Sequence, residues 1–241
     1  MSPAASTTGG GADSRPVVLV TGASRGIGRA VARELGADHH LILGARREQD
    51  VADLLAELPS AEPFLADLTD AESLATAVAA LDLPAGLAGV VHSAGNLVGG
   101  TVEELAPADW ERSFALNVTA VAELTRLLLP ALRQARGTVV TLNSGSGFTS
   151  IAARGPYCAS KFALRALTDA LREEERENGV RVSSVHPGRV DTDMQRELRE
   201  LEGDSFTPRP PMSPQTVAAT IGLALRLPED ANLDVVSVRP R

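Results

Sequence analysis

Short runs of β-branched and other apolar residues alternate along this chain with longer stretches whose apolar positions recur at helical spacing. Short, continuous apolar runs suit parallel strands buried on both faces rather than strands with one face in water. They predict strands at Val17–Val20, His40–Leu43, Pro63–Leu65, Gly89–His92, Thr138–Leu142, Val180–His186 and Leu233–Val238. The helical spacing predicts helices at Ile27–Leu35, Asp50–Leu58, Ala71–Leu81, Ala108–Leu132, Tyr157–Glu177 and Pro214–Leu227. This alternation implies an α/β fold, a doubly wound, seven-stranded parallel sheet with helices on both faces, in one domain spanning 15–241. The preceding residues 1–14 are rich in Ala, Ser, Thr and Gly, with neither a basic start nor an apolar run, and read as a flexible tail.

Composition narrows the class. No run approaches the ~18 uninterrupted apolar residues of a membrane helix, so no membrane partner is expected. A formal charge of −8 disfavours nucleic acid but leaves room for a small anion at a local Arg cluster. A lone cysteine, Cys158, makes neither an internal disulfide nor a metal cluster, so no metal is expected and a reducing cytoplasm is the expected compartment. More telling, the chain has one Tyr, Tyr157, and one Lys, Lys161, against twenty-two Arg. Lys is a compact ammonium with an adjustable pKa, which Arg is not. Four apart on a predicted helix, Tyr157 and Lys161 share a face.

The first predicted strand runs directly into Gly22-Ala23-Ser24-Arg25-Gly26-Ile27-Gly28 at a helix entrance. Glycines permit a tight turn and close backbone approach, and the free amides of a helix N-terminus hold phosphate. With no Gly-Lys-Ser/Thr following, a dinucleotide fits better than a nucleoside triphosphate.

These features, with others in order along nearly the whole chain, resemble the short-chain dehydrogenase/reductase family. The matching residues are Thr21 to Gly28, Asp67, His92-Ser93-Ala94-Gly95, Asn117, Asn143-Ser144, Tyr157-Cys158-Ala159-Ser160-Lys161 and Pro187-Gly188-Arg189-Val190-Asp191-Thr192. One departure is His92-Ser93, where the family often has Asn-Asn; the shorter Ser93 loses or reroutes a hydrogen bond, and His92 reads as a structural histidine. The resemblance implies a Rossmann fold and an oxidoreductase that interconverts a carbonyl and an alcohol, with a dimer or tetramer built on the long helices. Its rival is a regulator that senses the dinucleotide without turnover.

Within the resemblance, Tyr157 is the general acid/base, with a pKa drawn down by the adjacent Lys161, which also holds the nicotinamide ribose. Ser144 orients the substrate oxygen, with Ser146 as its competitor and backbone capping as its alternative role. Asn117 holds a water that connects Lys161 with solvent. Gly22, Ser24, Arg25, Gly26, Ile27 and Gly28 cradle the pyrophosphate; Asp67, with Leu68, meets the adenine. Asp67 is left free for this if Thr69-Asp70-Ala71-Glu72 forms a capping box. Ser93, Ala94 and Gly95 approach the cofactor, and Pro187, Gly188, Val190 and Thr192 hold the carboxamide end. At the end of the second strand Arg46 stands where a carboxylate would favour NAD, and Arg25 faces it across the turn, so NADP is favoured over NAD. The stretch Met194–Met212 is polar and Pro-rich and is expected to be a mobile cover over the substrate, whose identity it does not disclose.

Overall fold

A computed structural model of the chain describes residues 14–202 and 210–241. The tail expected at 1–14 lies outside the described residues apart from Ser14, as do 203–209 of the expected cover. Seven strands, β1 (Val17–Val20), β2 (His40–Ala45), β3 (Ala61–Leu65), β4 (Gly89–His92), β5 (Thr138–Leu142), β6 (Arg181–Pro187) and β7 (Val235–Val238), form one sheet in the order β3-β2-β1-β4-β5-β6-β7. Every pairing is parallel. The helices are α1 (Gly26–Leu35), α2 (Ala52–Glu57), α3 (Ala71–Ala79), α4 (Pro107–Phe114), α5 (Ala120–Ala135), α6 (Gly155–Glu175), α7 (Asp193–Glu202) and α8 (Pro214–Arg226).

Successive side chains of a strand point to opposite faces, so a sheet covered on both sides needs apolar residues at every position. In β1, Val18 and Val20 enter one core with Val31 and Leu35 of α1 and Val217 and Ile221 of α8. Leu19, between them, enters the other with Leu74 of α3 and Leu124, Leu128 and Leu132 of α5. The chain winds outward from β1 to β3, then crosses back to β4 on the other side of β1. The connections diverge at this switch point and leave a crevice beyond the strand ends.

The expected fold is present, with differences at the edges. β3 includes Pro63, which an edge strand tolerates because its amide need not pair. The expected long helix spans α4 and α5 but passes through a π-helical turn at Ala115–Thr119, where the Ala120 amide donates to the Ala115 carbonyl. By length and composition Pro107–Ala135 is apolar enough to cross a membrane. Here Val121, Leu124, Leu128 and Leu132 are buried in the fold, while Glu123 and Arg126 pair at its exposed surface. Part of the expected mobile cover is instead helix α7, whose polar composition hid it; Met194 and Leu198, one turn apart, give it an apolar edge and Leu198 is buried.

Candidate active site

The crevice holds two cavities that meet along Ser93, Gly95, Asn96, Leu142 and Thr192. The larger, about 510 Å³, is lined by Gly22, Ser24, Arg25, Gly26, Ile27, Gly28, Arg46, Asp67, Leu68, Ser93, Ala94, Gly95 and Thr192. Tyr157, Lys161, Ser144, Pro187, Gly188 and Val190 line the smaller, about 350 Å³. Asn117 lines neither.

The glycine turn is shaped by close backbone approach. Gly22 sits at φ +65°, and a Cβ there would lie 2.9 Å from the Ala94 Cα; one on Gly28 would run into the Gly22 carbonyl. Thr21 joins this turn to β4, its hydroxyl accepting from the Ser93 and Ala94 amides at 3.0 and 3.1 Å. His92 is buried and bonded through Nε2 to the Thr125 hydroxyl at 2.9 Å. Burial pushes its pKa down to about 4, so it is a neutral strut between β4 and α5.

The capping box expected beside Asp67 does not form. The N-cap of α3 is Asp70, whose carboxylate accepts from the Glu72 and Ser73 amides, so Thr69 is no cap. Thr69 is instead bound to Asp67, whose Oδ1 accepts from the Thr69 amide and hydroxyl at 2.9 and 2.7 Å. Asp67 reaches the cavity wall, but as a carboxylate already held in an Asx turn, with its pKa lowered first by those bonds and also by Arg46. Arg25 is paired with Asp193 at 3.6 Å, so of the two cations expected to converge, one is tied to α7.

The β5 end and the first turns of α6 bring the chemistry together. The Asn143 carboxamide accepts from the Ser144 amide at 2.8 Å and donates to the Lys161 carbonyl at 3.2 Å, clamping strand to helix. Ser144 caps the backbone, its Oγ accepting from the Ser146 amide at 3.1 Å, and it lines the cavity beside Tyr157, whose pKa it helps to lower. His186 fixes the Ser144 backbone, its Nδ1 donating to that carbonyl at 2.9 Å while Nε2 accepts from the Ser184 hydroxyl at 2.8 Å. Burial lowers the His186 pKa and favours this neutral form.

Tyr157 is buried, and burial raises its pKa; the Ser144 hydrogen bond and the Arg154 charge work in the other direction. The expected tuning by Lys161 is not what this geometry provides. The Lys161 Nζ is 5.9 Å from the Tyr157 ring centroid and donates to the Leu142 carbonyl at 2.9 Å. Burial pushes the Lys161 pKa down from 10.5 to about 8.

This shift makes Lys161 a cost to folding. Below about pH 8 both folded and unfolded chains hold the proton, and the folded chain bears a buried charge. Between about 8 and 10.5 the unfolded chain binds more protons, so the Lys161 contribution to stability improves as pH rises. The shift corresponds to about 3 kcal/mol, against about 1 kcal/mol for the lost Leu142 hydrogen bond. Lys161→Met is therefore expected to gain about 1–2 kcal/mol at pH 7 and to lose that advantage toward pH 9.5. Urea unfolding of both proteins at the two pH values measures this; a less stable variant at neutral pH would contradict it.

Asn117 is almost wholly buried in the π-helical turn. Its Oδ1 accepts from the Asn96 amide at 2.9 Å, and its Nδ2 donates to the Asn96 carbonyl and Ser160 hydroxyl, each at 3.0 Å. The side chain thus splints the backbone after Gly95 to α6.

Sequence reasoning missed Asn143 and His186 as supports, and the three arginines of the smaller cavity, Arg154, Arg189 and Arg239. Asn143 was visible beside Ser144 without a role. The others come together only through the packing of α6, β6 and β7.

A Gly-rich switch-point crevice thus adjoins a cavity lined by a Ser, a Tyr and a Lys. The family profile described as short chain dehydrogenase matches residues 16–203, and the chain belongs to that family. It is an oxidoreductase acting on CH–OH or carbonyl groups. An uncharacterized oxidoreductase of Staphylococcus epidermidis is 31% identical over 228 residues, covering 93% of this chain and 96% of the relative. A monensin polyketide synthase putative ketoacyl reductase of Streptomyces virginiae is 35% identical over 193 residues, covering 76% and 74%. Among solved structures, an actinorhodin polyketide ketoreductase with NADPH superposes with a TM-score of 0.85 at 27% identity, covering 93% and 96%.

Proposed function

We propose that this oxidoreductase interconverts a ketone or aldehyde and the corresponding alcohol, runs chiefly as a reductase, and prefers NADP(H) to NAD(H). The observation that carries the reading is that Ser144, Tyr157 and Lys161 line a cavity opening directly into the Gly-rich cleft. The close packing at Gly22 and Gly28 fits a dinucleotide backbone, with Ser24 to Gly28 toward its pyrophosphate, Asp67 and Leu68 toward its adenine, and Val190 and Thr192 toward its carboxamide. When bound, the nicotinamide supplies a hydride to the substrate carbon.

Ser144 orients the carbonyl oxygen and stabilises the charge that gathers on it. The Tyr157 hydroxyl donates its proton to that oxygen; burial keeps the phenol protonated at neutral pH, as reduction requires. Lys161 leaves the Leu142 carbonyl for the nicotinamide ribose hydroxyls and supports recovery of the proton, with Asn117 holding the water route beside it. The proposal includes homodimeric or homotetrameric assembly in the cytoplasm, for which half-exposed Phe162 on α6 offers an apolar contact.

A panel of ketones and aldehydes assayed with NADPH and NADH tests the reading. Carbonyl-dependent oxidation of NADPH supports it; tight cofactor binding without turnover of any carbonyl would return the protein to a sensing role. Arg46, exposed in the cavity lining just after β2, where a carboxylate would favour NAD, supports the NADP preference, as does the NADPH in the related ketoreductase. Arg46→Ala is expected to weaken NADPH binding roughly 10- to 150-fold, the worth of one charge-assisted contact, with NADH nearly unaffected. Calorimetric titration with both cofactors decides; equal losses would defeat the assignment.

A further inference from the structure

The smaller cavity has a charge pattern that carbonyl reduction does not require. Among the described residues it is lined by four cations, Lys161, Arg154, Arg189 and Arg239, and by no carboxylate, in a chain whose formal charge is −8. None of the three arginines lines the dinucleotide cavity, where Arg25 and Arg46 lie instead. They therefore face the space left for substrate rather than the cofactor phosphates.

Arg154 is 7% exposed at the start of α6, one turn before Tyr157, and Arg189 is half-buried in the loop after β6. Arg239, after β7, packs its guanidinium over Gly145, leaving no room for a side chain there. Arg154, Arg189 and Tyr157 line the same cavity of about 350 Å³. Both arginines make further polar contacts of their own, so their position on the wall, and not an unmet charge, is what matters. The same cavity is also lined by the apolar Leu97, Ile151, Met194 and Leu198.

Resting on the carbonyl reading above, we propose that the substrate bears a carboxylate a few bonds from the reacting carbon, and that Arg154 and Arg189 hold it. A guanidinium fork matches a planar carboxylate. Arg154 stands three residues before Tyr157 at the start of α6, which sets the short spacing, and the apolar lining takes the remaining hydrocarbon. The substrate class is thus a small oxo acid, or the hydroxy acid it becomes.

The test compares α-, β- and γ-oxo acids with their methyl esters as substrates with NADPH. Wild type is expected to reduce at least one acid with kcat/KM about tenfold or more above its ester. Arg189→Gln is expected to raise the KM for that acid about 10- to 100-fold and erase the preference, while Arg154→Lys retains part of it. Esters reduced as well as acids would overturn the proposal and leave the carbonyl reading standing. If neither is reduced, the carbonyl reading fails for this panel, and calorimetry with hexanoate and NADP-loaded protein then decides. Saturable hexanoate binding lost in Arg189→Gln supports the anion site; no saturable binding overturns it.

Discussion

Replacing Tyr157 by Phe is expected to lower carbonyl reduction by about 10²- to 10⁴-fold, the usual worth of a positioned general acid. The ring stays in its packed site at the start of α6, so only the hydroxyl is lost. Stability should change by no more than about 1 kcal/mol, and NADPH affinity by no more than a few-fold. This combination separates a chemical role from a structural one. Comparable turnover by the variant in a steady-state assay would remove Tyr157 from the mechanism.

Lys161→Arg is the second large effect. It keeps a positive charge, so a purely electrostatic role would survive it. Lys161, however, is 6% exposed, in a space that fits one ammonium donating to the Leu142 carbonyl. A planar guanidinium brings five donors and more volume into that space and stays charged at every accessible pH. We expect a loss of about hundredfold or more in kcat/KM, with weaker NADPH binding, because the group meant for the ribose no longer fits. Kinetics alongside cofactor titration check this; near-normal activity would show that the solitary lysine in an arginine-rich chain has no special function.

The sheet was legible because its inner strands are buried on both faces. Val17–Val20 and Thr138–Leu142 are apolar or β-branched throughout, and such runs have few alternatives in a chain with helical spacing between them. α7 escaped notice because its charged residues outweigh Met194 and Leu198. The π-helical turn was hidden because apolar spacing continues across Asn117 on both sides. At α3, Thr69 and Asp70 are both good caps, and composition could not choose between them; the backbone made Asp70 the cap and gave Thr69 to Asp67.

The same division runs through the site. Gly22 to Gly28 and Tyr157 with Lys161 are local in sequence, so spacing revealed them. Arg154, Arg189 and Arg239 are far apart in the chain and share a wall only after α6, β6 and β7 pack together. The origin of the Tyr157 pKa also required the fold, since burial outweighs every nearby charge and the cation that acts on the phenol is Arg154, not Lys161.

The most direct test of the account follows the hydrogen itself. The best carbonyl substrate is reduced with NADPH deuterated at the transferable position, and the alcohol is examined by NMR and mass spectrometry. One deuterium is expected on the carbinol carbon for each NADPH oxidised, with Tyr157→Phe nearly silent in the same assay. NADPH oxidation that leaves no deuterium in the alcohol, or full transfer by Tyr157→Phe, would contradict it.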